Sequence, residues 1–434
     1  MNRMNGKQGI LIPVVFMLLM LFGGQAQAVV NGVTGTNFNF AVREGHISSP
    51  DGGSILMWGY ANGNGLMQYP GPTLIVNQGD VITINLTNEL PAGNPVSILF
   101  PGHSVTASGG SQGLLTREST SATDTVTYTF TASQPGTYTY HSGTRPELQI
   151  EMGLAGVIIV RPAGYSPANK TAYGTGDTAF DHEYLFVLSD IDPNVHDMVE
   201  FGMANQIDNS KRVSALWLIN GRMAPDTMGP AYAPWLPHQP YNCLPRTNPG
   251  KKLLLHVVAA GREIHPFHVH GNNATIIAKD GRLLSTDGVT PDLAASEFTI
   301  QNEPEETVDA IFTWTGKDLG WDIYGAGVGY EHDCVDNSGD GFDDVTHEYC
   351  ADHNKQFPVL LPEKQDLVFG GFWSGSPYMG NSAQLPPGEG GLNMNGGYFF
   401  MWHSHTEREL TNFNIFPGGM MTMMVVEPPN VIIP

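Results

Sequence analysis

His265-Pro266-Phe267-His268-Val269-His270-Gly271 and Tyr398-Phe399-Phe400-Met401-Trp402-His403-Ser404-His405 are the two stretches around which the chain is organised. Each is apolar and aromatic, reads as a strand, and carries an H-x-H. Side chains two apart on a strand lie on the same face. His268 and His270 are therefore expected to point one way together, and so are His403 and His405. Two such pairs facing each other offer four imidazoles, donors that suit copper, zinc, iron and nickel. The plainer alternative is a set of satisfied core histidines. A second H-x-H on another aromatic strand favours metal ligation over it.

Outward from these motifs the chain reads as short strands punctuated by Gly and Pro. Thr73–Asn77, Asp80–Thr87, Thr125–Thr131, Gly136–His141 and Gly156–Val160 precede Arg161-Pro162. Tyr184–Leu188, Ser214–Asn220 and Lys252–Val258 open a second block, and Ala274–Lys279 follows the first histidine motif. Long helical periodicity is absent. Regular strand spacing with Gly/Pro turns predicts an all-β protein built from sandwiches or barrels. Residues 29–163 read as one domain, 164–180 as a polar linker and 181–434 as a second domain. Residues 316–396 carry few strand signals and much Gly, Asp and Pro, and read as a long loop-rich insertion. The run Met420–Val426 reads as a core strand rather than a copper-collecting site, since methionine fills cores readily.

The 434 residues suffice for two or three domains. Lys and Arg total 20 against 42 Asp and Glu, a formal charge of −22, which argues against nucleic acid and anionic membrane surfaces as partners. Arg3 and Lys7 precede the apolar run 10–22, and Ala26-Gln27-Ala28 has the form of a cleavage site. Residues 1–28 are therefore expected to be a signal peptide, and the mature protein to be periplasmic or extracellular with no membrane span. The 3 cysteines fit an oxidising compartment with few disulfides. Cys334 and Cys350 flank one loop and could close it, leaving Cys243, though other pairings stay open. Between them, Asp336, Ser338, Asp340 and Asp344 have the oxygen spacing of a calcium loop with Gly341 at the sixth position. His347 stands where that loop needs a glutamate, and the alternative is an acidic solvated turn.

The order of motifs resembles the multicopper oxidase family, which is built from cupredoxin domains. Pro70-Gly-Pro-Thr73, Gln78-Gly-Asp80, Gly136–Ser142 and Met152–Gly156 resemble its N-terminal domain. Leu218-Ile-Asn-Gly221, the H-P-F-H-V-H-G at 265–271 and the region 403–424 resemble its C-terminal domain. The likeness covers most of the chain outside the insertion. It implies two cupredoxin-like Greek-key β-sandwich domains and a copper centre. Five of the family's eight trinuclear ligands remain by match: His141, His268, His270, His403 and His405. Carried over by position, His270 and His403 would hold one copper of a pair, His141 and His405 the other, and His268 the third. Leu99-Phe100-Pro101-Gly102 stands where the family has an early H-x-H-G. His103, just beyond, reads as a surface-loop histidine, with replacement of a missing ligand as its alternative.

The departures are as informative as the matches. Ser404 replaces the family's cysteine, Glu409 occupies its third histidine position, and Asn414 falls near the axial position. A blue-copper centre depends on a thiolate, so the resemblance implies that centre is missing although its first histidine, His265, remains. Glu409 is expected beside His265, as a ligand or as a carboxylate orienting the imidazole. The expected function is a copper-dependent oxidoreductase with a histidine-only site at a domain interface. Its partners would be a small-molecule or metal-ion reductant and O2. Two-domain relatives form rings of three, so a homotrimer is expected. The alternative is a non-catalytic copper-binding or structural protein on the same fold.

Overall fold

The computed structural model describes residues 30–91, 93–317, 332–353, 375–378, 397–427 and 431–433. The expected signal segment 1–28 and most of the expected insertion lie outside those residues. Among the described residues, no helix is long and apolar enough to cross a membrane.

Alternation builds the first sandwich. In Val81–Asn88 every second residue is buried, so Ile82, Ile84 and Leu86 enter one core. This strand lies inside a five-stranded sheet with Asn37–Ser48, Ser54–Asn62, Val126–Thr131 and Thr106–Gly109. A four-stranded sheet of Val33–Thr34, Leu74–Asn77, Ala155–Arg161 and Gly136–His141 closes over it. Tyr60, Phe100, Tyr128 and Tyr140 fill the space between the two sheets.

The second sandwich follows the same plan. One sheet runs through Leu216–Ile219, His182–Ile191, Lys252–Ala259, Thr307–Thr313 and Ala274–Lys279. The other contains Met421–Val426, Gly397–Ser404, His265–Val269 and Thr299–Asn302. Phe186, Trp217, Phe267, Phe312, Phe400 and Trp402 form its core, and Met420 and Met424 are buried among them as expected of a core strand. The fold is all-β, two cupredoxin-like sandwiches in sequence.

The sandwiches meet face to face. Ala155, Val157 and Ile159 of the first pack on Leu185, Val187 and Val258 of the second. Full burial of one such aliphatic side chain contributes about 1.5–3 kcal/mol. A second apolar seam joins Ile47, Ile55 and Met57 to Ile191, Leu216 and Leu218. Beside these seams lies a buried ionic cluster. Arg161 donates to Glu183 at 2.6 Å, His256 lies 3.3 Å from Glu183 and 2.8 Å from Asp309, and Thr137 donates to Asp309 at 2.6 Å. Thr137 and Arg161 come from the first sandwich, and the other three from the second.

Cys334 and Cys350 form a disulfide, with Cα atoms 5.4 Å apart. Cys243 is the remaining thiol. It is 1% exposed, and burial pushes its pKa up to about 12.

Candidate metal centre

Strand register brings the two histidine motifs together. His265–Val269 pairs antiparallel with Gly397–Ser404, and His268 stands directly opposite His403. Phe267 and Val269 on one strand, and Phe400 and Trp402 on the other, point into the sandwich core. The intervening histidines must then emerge on the opposite face. Gly271 ends the first motif with φ +99°, and a Cβ there would lie 3.1 Å from both the Phe400 ring and Trp314. The glycine lets the strand turn away immediately after His270.

His268, His270 and His403 each offer a nitrogen such that all three lie within 4.8 Å of one another. The Nε2 atoms of His403 and His270 are 3.1 Å apart. His405 stands beside them, its ring centroid 4.7 Å from that of His268. The first three are buried and His405 is exposed, so the group is a pit with one imidazole on its rim. Burial, reinforced by the surrounding imidazoles, holds His268 down to about 3, and burial holds His403 down to about 4. Both rings are neutral at physiological pH, the form that ligates metals. Nδ1 of His403 lies 2.6 Å from the Ser404 carbonyl, where it can only donate. That contact fixes the tautomer and leaves the Nε2 lone pair facing the group. Thr299 Oγ1, 2.8 Å from Nδ1 of His268, orients the second ring.

His265 has a different setting on the same strand. It is wholly buried, with Nδ1 3.0 Å from Glu409 and Nε2 3.3 Å from Asp190. Burial alone would lower its pKa, but the two carboxylates outweigh it and raise the group to about 9. Asp190 is shared with Arg212, which also donates to Glu151 at 2.6 Å. A protonated imidazole cannot bind a metal. His265 and Glu409 are thus an internal ion pair where the resemblance would put a blue-copper centre, and Ser404 supplies no thiolate there. The residues present do not fit that centre.

The structure does not bring the other expected ligands into the pit. His141 is buried with Nδ1 3.0 Å from the Ser142 carbonyl, the same local arrangement as His403 on Ser404. Its Nε2 lies 3.4 Å from Glu305 instead. His103 is stacked between Phe130 and Tyr138 at centroid distances of 4.6 and 4.5 Å, and burial holds it down to about 4. It packs as an aromatic rather than lying free on a surface loop. The acidic loop is held by its own hydrogen bonds. Asp336 accepts amide protons from Gly339, Asp340 and Gly341, and Asp344 accepts from Asn337 and Ser338. Ser338 itself donates to Asp336 at 3.3 Å, and Asp340 accepts from Phe342. Their oxygens thus accept from donors within the loop itself.

Sequence reasoning missed a second cluster, His332, Glu348 and His353. The available signal was their spacing about the cysteines: His332 lies two before Cys334, Glu348 two before Cys350, and His353 three after it.

A family model described as multicopper oxidase matches residues 42–164. The chain is 37% identical over 98 residues to Multicopper oxidase MCE of Talaromyces pinophilus, which covers 22% of this chain and 15% of that protein. It is 33% identical over 132 residues to Copper resistance protein A of Escherichia coli, covering 30% and 20%. Over this N-terminal stretch the chain is similar to a multicopper oxidase domain. These matches span only about a fifth or less of the length of those relatives. Among solved structures, the blue copper oxidase from Nitrosomonas europaea superposes on this chain with a TM-score of 0.54 at 19% identity, over 89% of this chain and 85% of that one. That likeness is one of fold.

Proposed function

We propose that this protein is an exported copper-binding protein of the multicopper oxidase type and an oxidoreductase, with a histidine-only copper site centred on His268, His270 and His403. The observation that carries the reading is the convergence of three buried imidazole nitrogens on one sheet face. The donor set fits copper: neutral imidazoles are its usual ligands, and two of the three rings are held at Nδ1 by protein oxygens. Copper, when bound, supplies one-electron redox chemistry. The chain's own residues do the rest. Ser404 and Thr299 orient the rings, and Phe400 and Trp402 keep water from the core side. His405 on the rim leaves an approach for a small-molecule or metal-ion reductant, and for O2. With no thiolate at position 404, the reductant meets the centre directly rather than through a second copper.

The reading places the site at an interface. His141 projects Nε2 as His403 does, yet faces Glu305 within its own chain. A second copy in a homotrimer then contributes that imidazole to the pit.

Copper reconstitution followed by metal analysis tests the reading, together with O2 consumption using phenolic and metal-ion reductants. The wild type retains copper and consumes O2. His403→Ala lowers copper affinity by at least about tenfold, the scale for disturbing even the groups behind a ligand, and abolishes O2 consumption. An absence of copper in the reconstituted wild type ends the proposal. Copper without O2 consumption favours the second reading, a non-catalytic copper-binding protein. The charged His265–Glu409 pair, standing where electrons would otherwise enter, is the observation on that side.

A further inference from the structure

A second cluster of ligand-type side chains lies about the Cys334–Cys350 bridge of the expected insertion, apart from the centre described above. We propose that His332, Glu348 and His353 bind a borderline divalent transition ion of the zinc or copper(II) class. His332 Nε2 lies 2.8 Å from Glu348 Oε2, His353 Nε2 lies 3.3 Å from the same oxygen, and the two Nε2 atoms are 3.2 Å apart. Three ligand atoms thus converge on one point.

The tautomer of His353 is set for this role. Its Nδ1 lies 3.1 Å from the Tyr349 carbonyl, where the nitrogen can only donate, so Nε2 carries the lone pair. A carbonyl behind a ligating imidazole is the usual way a protein fixes such a ring. Two imidazoles and one carboxylate form a known zinc donor set. The nitrogen donors exclude calcium, which takes oxygen ligands.

The scaffold is rigid enough to hold the three groups. The Cys334–Cys350 bridge ties the two chain segments that carry them. Glu348 is buried, and its carbonyl accepts the Asp343 amide at 2.8 Å. Asp343 in turn accepts amide protons from Val335, Val345 and Thr346. Tyr349 donates its amide to the Thr315 carbonyl at 3.1 Å, which docks the loop on the second sandwich. His332 is the open side, its side chain 35% exposed, and gives an ion a path in. The pattern H-x-C…E-x-C-x-x-H is a staple with ligands at both ends.

The test titrates zinc alone, which is redox-silent, into the full disulfide-bonded chain. Calorimetry and metal analysis after dialysis give affinity and zinc per chain. His353→Ala and Glu348→Gln each weaken one zinc equivalent by more than about tenfold. The double variant His268→Ala/His403→Ala keeps that same equivalent, so failure of the main centre does not mask it. Glu348→Gln preserves shape and separates loss of a ligand from loss of fold. Near-ultraviolet circular dichroism matching wild type confirms that the loop has held. Unchanged zinc binding in both loop variants overturns the proposal, as does zinc that disappears only with the His268/His403 pair.

Discussion

His265 and His268 lie three residues apart on one strand and at opposite ends of the imidazole range. Burial dominates at His268, where the neighbours are other imidazoles, and the ring is held down to about 3. At His265 Asp190 and Glu409 dominate, and the ring rises to about 9. The sequence supplied both as members of one cluster. It could not give their charge states, because the burial of each ring and the approach of Asp190 and Glu409 to His265 are set only by the fold. Folded His265 binds its proton more tightly than an ordinary histidine at 6.5, so the pair stabilises the fold fully below about pH 6.5. That contribution fades as pH rises through about 9, and amounts to roughly 3 kcal/mol. Denaturant unfolding at pH 6 and pH 9.5 should show wild type losing this much more stability than His265→Gln. Equal losses would remove the ion-pair account. Glu409 was legible as a neighbour of His265, but the charge on the pair was not.

The strands that alternate were readable to within a residue or two. Gly136–His141 and Ala274–Lys279 fall where the pattern puts them. The hairpin Asn37–Ser48 and Ser54–Asn62 was not readable, for a physical reason. Ser54–Asn62 is buried along almost its whole length, since Trp58 and Tyr60 face one core while Ile55 and Met57 face the seam with the second sandwich. A strand covered on both faces shows no period of two. The helix Pro193–Glu200 went unread although Asp192 caps it and proline opens it, a start signal short enough to be lost among turns. At this scale Gly271 sets the geometry of its strand. Gly271→Ala places a Cβ at a positive φ and against Phe400, and should cost about 1–3 kcal/mol in denaturant unfolding. Copper affinity should fall with it, because His270 precedes the distorted residue. A variant as stable as wild type would mean the turn relaxes freely.

Across the whole molecule, the two sandwiches are joined by apolar seams that patterning can suggest and by an ionic cluster that it cannot. Arg161 and Glu183 look like strand-end charges in the sequence, yet both are buried, and Glu183 is held down to about 2 by His256 and Arg161. Removing one member leaves uncompensated buried charge. Asp309→Ala should cost about 3–5 kcal/mol in denaturant unfolding, and a loss below 1 kcal/mol would show that the cluster is incidental. The same scale tests the assembly. Light scattering should return three times the chain mass if His141 completes the centre of a neighbouring copy, whereas a monomeric mass would leave it on Glu305. Cys243 bears on how such experiments are run. Sealed behind strands and held as a neutral thiol, it is out of reach of alkylating reagents while the chain stays folded. The protein therefore carries its own unfolding clock: maleimide labelling without reductant should report global opening alone, one adduct for each molecule that comes apart.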